Sequence, residues 1–295
     1  MAAGGAESSL PTEPLPGGGV LRTLGSRDGL SALEQRLDDG QTFRWLCSLD
    51  HTGRLLAETV VRCSCTTRSG GARFDRELLM PRYHAAMVAG LGLHRNRLRR
   101  VLLIGVGGGA LAMFLRHAYG AELTLTCVDS SRAAIELGRK HFGLLADRRL
   151  LLVECAAECF LQQIAPTERF DAILVDTTEV AAGGHEGGLS APHRGLRRRR
   201  AIRSLFGRLA EGGVLVVNVL GDDPSVARLQ HVVAGACNRH TALYRLSTDE
   251  GNVVLAARID DGAMDLPNVH WHVADAAWWD GCAALGLDVQ SVDCL

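Results

Sequence analysis

The sequence predicts an α/β protein built on an open, Rossmann-like sheet of seven strands, preceded by a small β-hairpin region. From about residue 98 onward, apolar strand-like runs alternate with helical patterns, which is typical of a mostly parallel sheet with helices on both faces. The first run, 101–104, leads into a glycine-rich turn. The last two runs, 242–246 and 252–259, are separated by a short turn-like segment, so the final strands are expected to be antiparallel.

The chain before the sheet is predicted in two parts. Residues 1–19 are rich in Ala, Gly, Pro and Ser and are expected to be a disordered tail. Within residues 20–97, the runs 42–49 and 55–62 flank a glycine-containing turn and predict a β-hairpin, and residues 81–93 predict a helix.

The sheet domain is predicted over residues 98–260, and residues 261–295 form a C-terminal extension in which we find no chemistry. The strands before the closing pair are predicted at 101–104, 123–128, 150–154, 172–175 and 214–219. Helices are predicted at 111–118, 132–142, 157–164, 201–209 and 226–237.

Composition excludes several classes of function. The chain has 295 residues, of which 47% are hydrophobic, and no apolar run reaches the roughly 18–20 residues of a membrane span. A formal net charge of −1 gives no general attraction to nucleic acid or to a membrane. The nine cysteines are scattered, which favours reduced thiols in a cytoplasmic protein. Because Cys63 and Cys65 are too close together for a zinc knuckle and lack a partner pair, no metal is predicted.

The glycine-rich turn is the strongest functional signal. Gly105, Gly107 and Gly109 are more glycines than a strand–helix turn needs, so we expect them to cradle a ligand. Asp129, at the end of the second strand, can accept hydrogen bonds from both hydroxyls of a ribose. Together these residues predict a site for a nucleoside-containing cofactor, although the glycine spacing also fits a dinucleotide. The structural alternatives are a plain tight turn and a solvated acid.

Acidic residues also end the third and fourth strands. Glu154 and Glu158 flank the end of the third strand, where an acid can meet an adenine amino group; the alternative is that both face water. Asp176 ends the fourth strand, at the edge where open α/β sheets bind ligands. Its carboxylate could orient a substrate amine, or it could be a cap.

Three further residues are candidates for the substrate side of the site. Thr177 opens a long, glycine-rich loop, and such loops are often lids. Tyr83 and His84 lie on the helix before the sheet and could line the mouth of the cavity; a core or capping role is the alternative.

A basic patch stands out on this nearly neutral chain. Its centre is a run of four arginines, Arg197, Arg198, Arg199 and Arg200, with Arg194 and Arg203 nearby. The structural interpretation is a solvated helix face, and the functional one is contact with an acidic protein or RNA.

Several stretches resemble the class I S-adenosylmethionine-dependent methyltransferases, and among them the spermidine-synthase-like branch. Residues 101–110 resemble the first motif of the family, and residues 211–218 resemble its fifth-strand signature. Residues 43–49, 83–93 and 139–143 narrow the resemblance to the elongation factor 1-alpha lysine and N-terminal methyltransferases.

The resemblance implies that S-adenosylmethionine is the cofactor, held by Gly105, Gly107 and Asp129, and that Asp176 faces a target amine. It also implies a protein substrate, elongation factor 1-alpha, methylated on its N-terminal α-amine or on a lysine. An α-amine has a pKa of about 7.7–8.0, so part of it is neutral at cellular pH and correct positioning supplies most of the rate.

Departures from the family pattern keep alternatives open. Ala156 and Ala157 replace an acid–glycine pair, which puts the adenine contact in doubt and leaves a non-catalytic scaffold as one alternative. A polyamine synthase using decarboxylated S-adenosylmethionine is another. Such synthases carry a Tyr-x-Glu motif, whose Glu is replaced by Ala85 in this chain. They also carry an Asp-Ser-x-Asp-Pro motif, whose second acid is Glu179 here. A nicotinamide-dependent dehydrogenase is disfavoured by the antiparallel closing strands.

Overall fold

The computed structural model describes residues 15, 17–49, 55–65, 72–94, 96–179, 188–236, 241–259 and 276–292. Within them the chain forms two β-sheets and seven α-helices. The strands are β1 Val20–Arg27, β2 Leu30–Arg36, β3 Thr42–Leu49, β4 Leu55–Cys65, β5 Ala72–Phe74, β6 Arg100–Ile104, β7 Thr124–Asp129, β8 Leu150–Glu154, β9 Phe170–Val175, β10 Leu189–Ala191, β11 Leu209–Gly221, β12 Thr241–Ser247, β13 Asn252–Ile259 and β14 Asp288–Val292. The helices are α1 Arg82–Leu91, α2 Ala110–Ala118, α3 Arg132–His141, α4 Ala157–Gln163, α5 Arg199–Phe206, α6 Asp223–Ala236 and α7 Ala276–Ala284.

The N-terminal sheet is larger than the predicted hairpin. Strands β1 to β5 pair in chain order, and every pair is antiparallel. Asp28 and Gly29 join β1 to β2, and both have positive φ, as a two-residue hairpin turn requires. The sequence pattern missed β1 because most of its residues are exposed or half-buried, so it lacks an apolar face. The predicted tail lies mostly outside the described residues, but Leu15 within it packs against Leu33 and Cys47.

The central sheet confirms the predicted fold class. Its strand order is β14-β12-β13-β11-β9-β6-β7-β8, and β8, β7, β6, β9 and β11 are parallel. Strand β13 inserts antiparallel between β11 and β12, as the short closing turn predicted. Strands β10 and β14 were not predicted, because both are short and neither shows a clear apolar pattern.

Two layers of apolar residues cover the central sheet. Along β6, Val101 and Leu103 face one layer while Leu102 and Ile104 face the other, which is the alternation expected of a strand. Helices α1, α2 and α7 cover the first layer, and α4, α5 and α6 cover the second. The six cysteines described as free form no disulfide with one another. Of the helices in the described part of the chain, none is long and apolar enough to cross a membrane.

The C-terminal segment braces α1. The indole Nε1 of Trp278 donates a hydrogen bond of 2.7 Å to the carbonyl oxygen of Ala89, and Trp278 and Trp279 pack against Tyr244. Strand β14 extends the sheet beyond β12. These contacts hold α1 against the sheet, and α1 carries Tyr83 and His84.

Candidate functional site

A cavity of about 450 Å³ lies at the carboxyl ends of the parallel strands, between the two sheets. Open α/β sheets bind their ligands at this edge. The central sheet contributes Gly105, Gly107, Asp129, Asp176 and Thr177 to its lining, and the N-terminal sheet contributes Ser48, Leu49 and Glu58. With Glu158, which also lines the cavity, the structure brings together six of the residues that the sequence analysis named.

The three predicted glycines have different roles. Gly105, Gly107 and Gly109 have φ values of 89°, 52° and 91°, in the left-handed region that favours glycine. A Cβ on Gly105 would overlap the backbone carbonyl of Asp176, and one on Gly109 would lie 2.7 Å from Cδ1 of Leu144. Gly105 and Gly107 line the cavity, whereas Gly109 does not and instead caps the start of α2. The protein's own packing already requires these glycines, so a ligand is not needed to explain them.

Asp129 shapes the glycine-rich turn. Its Oδ2 accepts hydrogen bonds from the backbone amides of Val106 (2.7 Å) and Gly107 (3.1 Å), and its Oδ1 accepts one from the amide of Ser131 (2.8 Å). A carboxylate has about four acceptor positions, so one remains for a ligand. Asp129 thus fixes the turn that it shares with the cavity.

The two acids expected near the end of the third strand lie in different surroundings. Glu154 is exposed and is not among the lining residues, whereas Glu158 is. The chain turns at Ala156, the N-cap of α4, and places Glu158 in the first turn of that helix. Ala156 and Ala157 also line the cavity. Of these two acids, Glu158 is therefore the one that lies in this cavity.

Asp176 is held by a chain of buried polar side chains. Its Oδ2 lies 2.9 Å from Nε2 of His84, and its Oδ1 accepts a hydrogen bond of 3.0 Å from Nδ2 of Asn218. Asn218 in turn accepts a bond of 2.9 Å from Asn252. His84 and Asn218 are only 3% and 2% exposed. Because both carboxylate oxygens are held from inside the protein, the orientation of Asp176 toward the cavity is fixed.

Sequence reasoning missed Asn218 and Asn252. Their contact depends on β13 lying beside β11, which the order of strands along the chain does not reveal. The signal available was a single amide residue, Asn218, within the apolar run of β11. Buried amides in strands are uncommon unless they have partners.

Tyr83 and His84 lie behind Asp176 and are not lining residues of the cavity. Their rings contact each other with centroids 4.3 Å apart. Burial raises the pKa of Tyr83 well above its usual value, and the negative charges of Asp176 and Glu58 add to the effect. The Nδ1 atom of His84 is buried without a hydrogen-bond partner among the described residues. His84 contacts Asp176, Tyr83 packs beside His84, and neither lines the cavity, which agrees with the core role given as the alternative.

Glu58 is a lining acid that the sequence did not single out as functional. Its Oε1 accepts a hydrogen bond of 2.7 Å from the hydroxyl of Ser48, and its Oε2 accepts one of 3.2 Å from the hydroxyl of Thr178. Burial raises the pKa of Glu58, and the charges of Asp176 and Asp129 raise it further, against the effect of the two hydroxyls. The available signal was an acid within the apolar run of β4.

The cavity is strongly acidic. Its lining contains five carboxyl side chains, those of Asp28, Glu58, Asp129, Glu158 and Asp176. The described lining includes no lysine or arginine, and His193 is its single basic residue. Such a lining suits a ligand with positively charged groups. No cluster of three or more potential metal ligands occurs among the described residues.

One arginine of the predicted basic patch is used inside the protein. Arg197 donates hydrogen bonds to Glu179 (2.9 Å) and to the carbonyl oxygens of Pro192 (2.5 Å) and Leu189 (2.9 Å). These bonds hold the segment that follows residues 180–187, which lie outside the described residues. Thr177 accepts a hydrogen bond of 3.0 Å from the amide of His193, which ties this segment to the cavity. Arg197 is therefore unavailable to a partner.

Curated proteins related to this chain match it over only part of their own length. No family model matches the chain. The eEF1A lysine and N-terminal methyltransferase homolog of Drosophila pseudoobscura pseudoobscura is 25% identical over 234 residues, which are 74% of this chain and 33% of that protein. The chain spans about a third of the length of the curated relatives it matches.

Solved structures share the fold. The chain is similar to human methyltransferase-like protein 13 in complex with SAH, with a TM-score of 0.57, 19% identity, and coverage of 70% of this chain and 91% of that one. It is also similar to a probable spermidine synthase from Corynebacterium glutamicum, with a TM-score of 0.65, 14% identity, and coverage of 93% and 91%. These matches confirm the resemblance at the level of the fold.

Proposed function

We propose that this chain, which has the class I methyltransferase fold of the spermidine-synthase-like branch, transfers a methyl group from S-adenosylmethionine to a protein amine. The observation that carries the proposal is Asp176, a carboxylate that His84 and Asn218 orient toward the same cavity as Asp129 and the glycine-rich turn. Asp176 can receive an amine, and Asp129 with the glycine-rich turn can receive a nucleoside.

The lining residues fit the proposed cofactor. Asp129 has an acceptor position left for a ribose hydroxyl, and Gly105 and Gly107 bring backbone to the cavity wall. Ala156 and Ala157 offer no carboxylate to an adenine amino group, but Glu158, which also lines the cavity, would supply one. When bound, S-adenosylmethionine supplies a methyl group on a positively charged sulfur, and the carboxylate of Glu58 favours that charge.

Asp176 would act on the acceptor. Its carboxylate can accept a hydrogen bond from the amine and turn the nitrogen lone pair toward the methyl carbon. As the new N–C bond forms and the methyl–sulfur bond breaks, the amine becomes more acidic and loses a proton, which Asp176 can accept and pass to water. The amine needs no strong base, because a fraction of an α-amine is neutral at cellular pH. Positioning is therefore the main task of this carboxylate.

The names of the relatives suggest which amine is methylated. Drosophila, Xenopus, bovine and mouse relatives are named as eEF1A lysine and N-terminal methyltransferases or their homologs. We therefore extend the proposal to elongation factor 1-alpha as the partner, through its N-terminal α-amine or a lysine, and to the cytoplasm as the place of action.

Calorimetry with the purified chain tests the proposal. S-adenosylmethionine, decarboxylated S-adenosylmethionine and NAD are titrated in parallel. We expect S-adenosylmethionine to bind with the highest affinity, and mass spectrometry to detect methyl transfer to elongation factor 1-alpha. Comparing a free with an acetylated amino terminus separates the α-amine from lysine. Absence of binding by all three compounds would overturn the proposal and favour a non-catalytic scaffold.

Aminopropyl transfer to a polyamine is a second candidate, favoured by the acidic lining. S-adenosylmethionine carries a carboxylate that finds no lysine or arginine among the described lining residues, whereas its decarboxylated form has no such group. The structural similarity to a probable spermidine synthase is compatible with this interpretation. Tighter binding of the decarboxylated compound, together with spermidine formation from putrescine, would favour it over methyl transfer.

A further inference from the structure

Exposed arginines cluster on α5, beside the cavity. Arg198 is the N-cap of this helix, Arg200 lies in its first turn and Arg203 follows one turn later. All three are exposed, while Ile202 and Leu205 of the same helix are buried in the second apolar layer of the central sheet. We call Arg198, Arg200 and Arg203 the arginine face. Arg199 is excluded because it donates a hydrogen bond to the carbonyl oxygen of Gly235.

The arginine face is unfavourable for the helix that carries it. The first turn of a helix carries a partial positive charge and favours acidic residues, but α5 has none there. No ion pair of Arg198, Arg200 or Arg203 is found with the rest of the described chain. Arg200 and Arg203, which are three residues apart on the helix, also repel each other. An anionic partner would relieve both effects, whereas a merely solvated face would gain nothing from this arrangement.

The arginine face follows a cavity-lining residue closely along the chain. Leu196 lines the cavity and precedes Arg198 by two residues and Arg200 by four. A chain of four residues spans at most about 14 Å, so Arg198 and Arg200 lie within reach of a short extended peptide whose end occupies the cavity. The hydrogen bonds of Arg197 to Glu179 and to two carbonyl oxygens fix the segment between them.

We propose that the arginine face binds acidic side chains of the acceptor polypeptide, a few residues away from the amine that enters the cavity. This inference rests on the proposed function and adds a sequence preference to it. The carboxylates inside the cavity favour a positively charged amine, and the arginines outside favour negative charges, so the site matches an amine followed by Asp or Glu. Arginine is suited to this role because its guanidinium can pair with a carboxylate through two parallel hydrogen bonds. A nucleic acid fits less well, since the carboxylates of the neighbouring cavity would repel its phosphates.

A pair of peptides tests the proposal. One is Gly-Ala-Asp-Glu-Asp-Glu-Ala and the other Gly-Ala-Asn-Gln-Asn-Gln-Ala, both with a free amino terminus and a fluorescent label at the carboxyl end. Binding to the full chain is measured by fluorescence anisotropy at low and high NaCl, with and without S-adenosylhomocysteine. We expect the acidic peptide to bind roughly tenfold more tightly at low salt and the difference to shrink at high salt.

Two matched triple variants locate the effect. Replacing Arg198, Arg200 and Arg203 by Gln should abolish the preference for the acidic peptide. Replacing three exposed arginines elsewhere by Gln, namely Arg22, Arg73 and Arg148, changes the net charge equally and should leave the preference intact.

Three results would overturn the proposal. They are equal binding of the two peptides, a preference that survives replacement of the arginine face, and a ten-nucleotide oligoadenylate that binds this face more tightly than the acidic peptide. Binding of S-adenosylhomocysteine to each variant is followed separately by calorimetry. A protein that fails to bind it contradicts the proposed function, while the peptides still test the arginine face in its absence.

Discussion

The imidazole Nε2 of His84 lies 2.9 Å from the carboxylate Oδ2 of Asp176, although 92 residues separate them in the chain. The side chain of His84 is 4% exposed and that of Asp176 is 13% exposed, so water competes little for this contact. His84 comes from α1 and Asp176 from the end of β9. The position of the acid therefore depends on how α1 packs against the sheet.

Replacing Asp176 by Ala should abolish methyl transfer and spare cofactor binding. We expect kcat to fall by about 10²- to 10⁴-fold, because the amine loses the group that orients it and accepts its proton. The dissociation constant for S-adenosylmethionine, measured by calorimetry, should change little. Asp171→Asn is the matched control, since Asp171 lies in the same strand but accepts hydrogen bonds from the amides of Arg99 and Arg100. It should lower stability without lowering kcat, and unchanged turnover in Asp176→Ala would remove this residue from the mechanism.

Substitution of His84 should lower kcat through the position of Asp176. A hydrogen bond to a charged group contributes about 1.5–3 kcal/mol, so His84→Leu should slow transfer by roughly 10- to 100-fold. His84→Gln retains a donor and should recover part of the rate. Steady-state kinetics and cofactor titration would be run on both variants. A rate in His84→Leu equal to that of the unmodified chain would show that Asn218 alone suffices to hold the carboxylate.

Asp129 and Glu154 should differ in their effect on the cofactor. Asp129→Asn replaces an oxygen that accepts backbone hydrogen bonds by a donor, so we expect both the melting temperature and the affinity for S-adenosylmethionine to fall, the latter by tenfold or more. Glu154→Gln alters an exposed residue outside the cavity and should change neither. Calorimetry and thermal unfolding measure the two effects. A loss of affinity in Glu154→Gln would support the cofactor contact that the sequence predicted at this residue.

Glu58 should make stability depend on pH. Because burial raises its pKa above the usual 4.5, the folded chain holds this proton more tightly than the unfolded chain does. The free energy of unfolding therefore falls as the pH rises from the usual value through the raised one. Because glutamine does not ionise, Glu58→Gln removes that loss. The difference in melting temperature between this variant and the unmodified chain should therefore favour the variant more at about pH 8 than at about pH 4. Glu211→Gln, at an exposed position on β11, should show no such trend. An equal difference at both pH values would mean that the charge of Glu58 is compensated in the folded chain.

The central sheet could be predicted mainly because its inner strands β6, β9 and β11 are buried on both faces and appear as continuous apolar runs. The prediction for β8 matches its observed bounds, and those for β6, β9 and β11 fall within the observed strands. Strands β1 and β14 escaped prediction because they are exposed along much of their length. These strands are held in place by hydrogen bonds to a neighbouring strand more than by burial of an apolar face. For β1, the tight turn at Asp28-Gly29 also sets the pairing.

The candidate site was predictable where it depends on strand ends and was not where it depends on contacts between distant elements. Asp129 and Asp176 follow apolar runs, and the sequence alone therefore places both at one edge of a parallel sheet. Glu58 joins the site only because the N-terminal sheet closes over the cavity, and Asn218 joins it only because β11 lies next to β9. The assignment of roles to these residues remains a prediction until variants are measured.

Gly105 carries a consequence for how sequences of this kind are compared. The backbone of Asp176 crosses so close to it that any side chain at this position would displace the end of β9, whether or not a ligand is present. A descendant of this protein that lost all enzymatic activity would therefore keep the glycine for as long as it kept the sheet. Gly105 is thus a marker of ancestry and of folding, and the search for active members of the group is better guided by the acid at position 176.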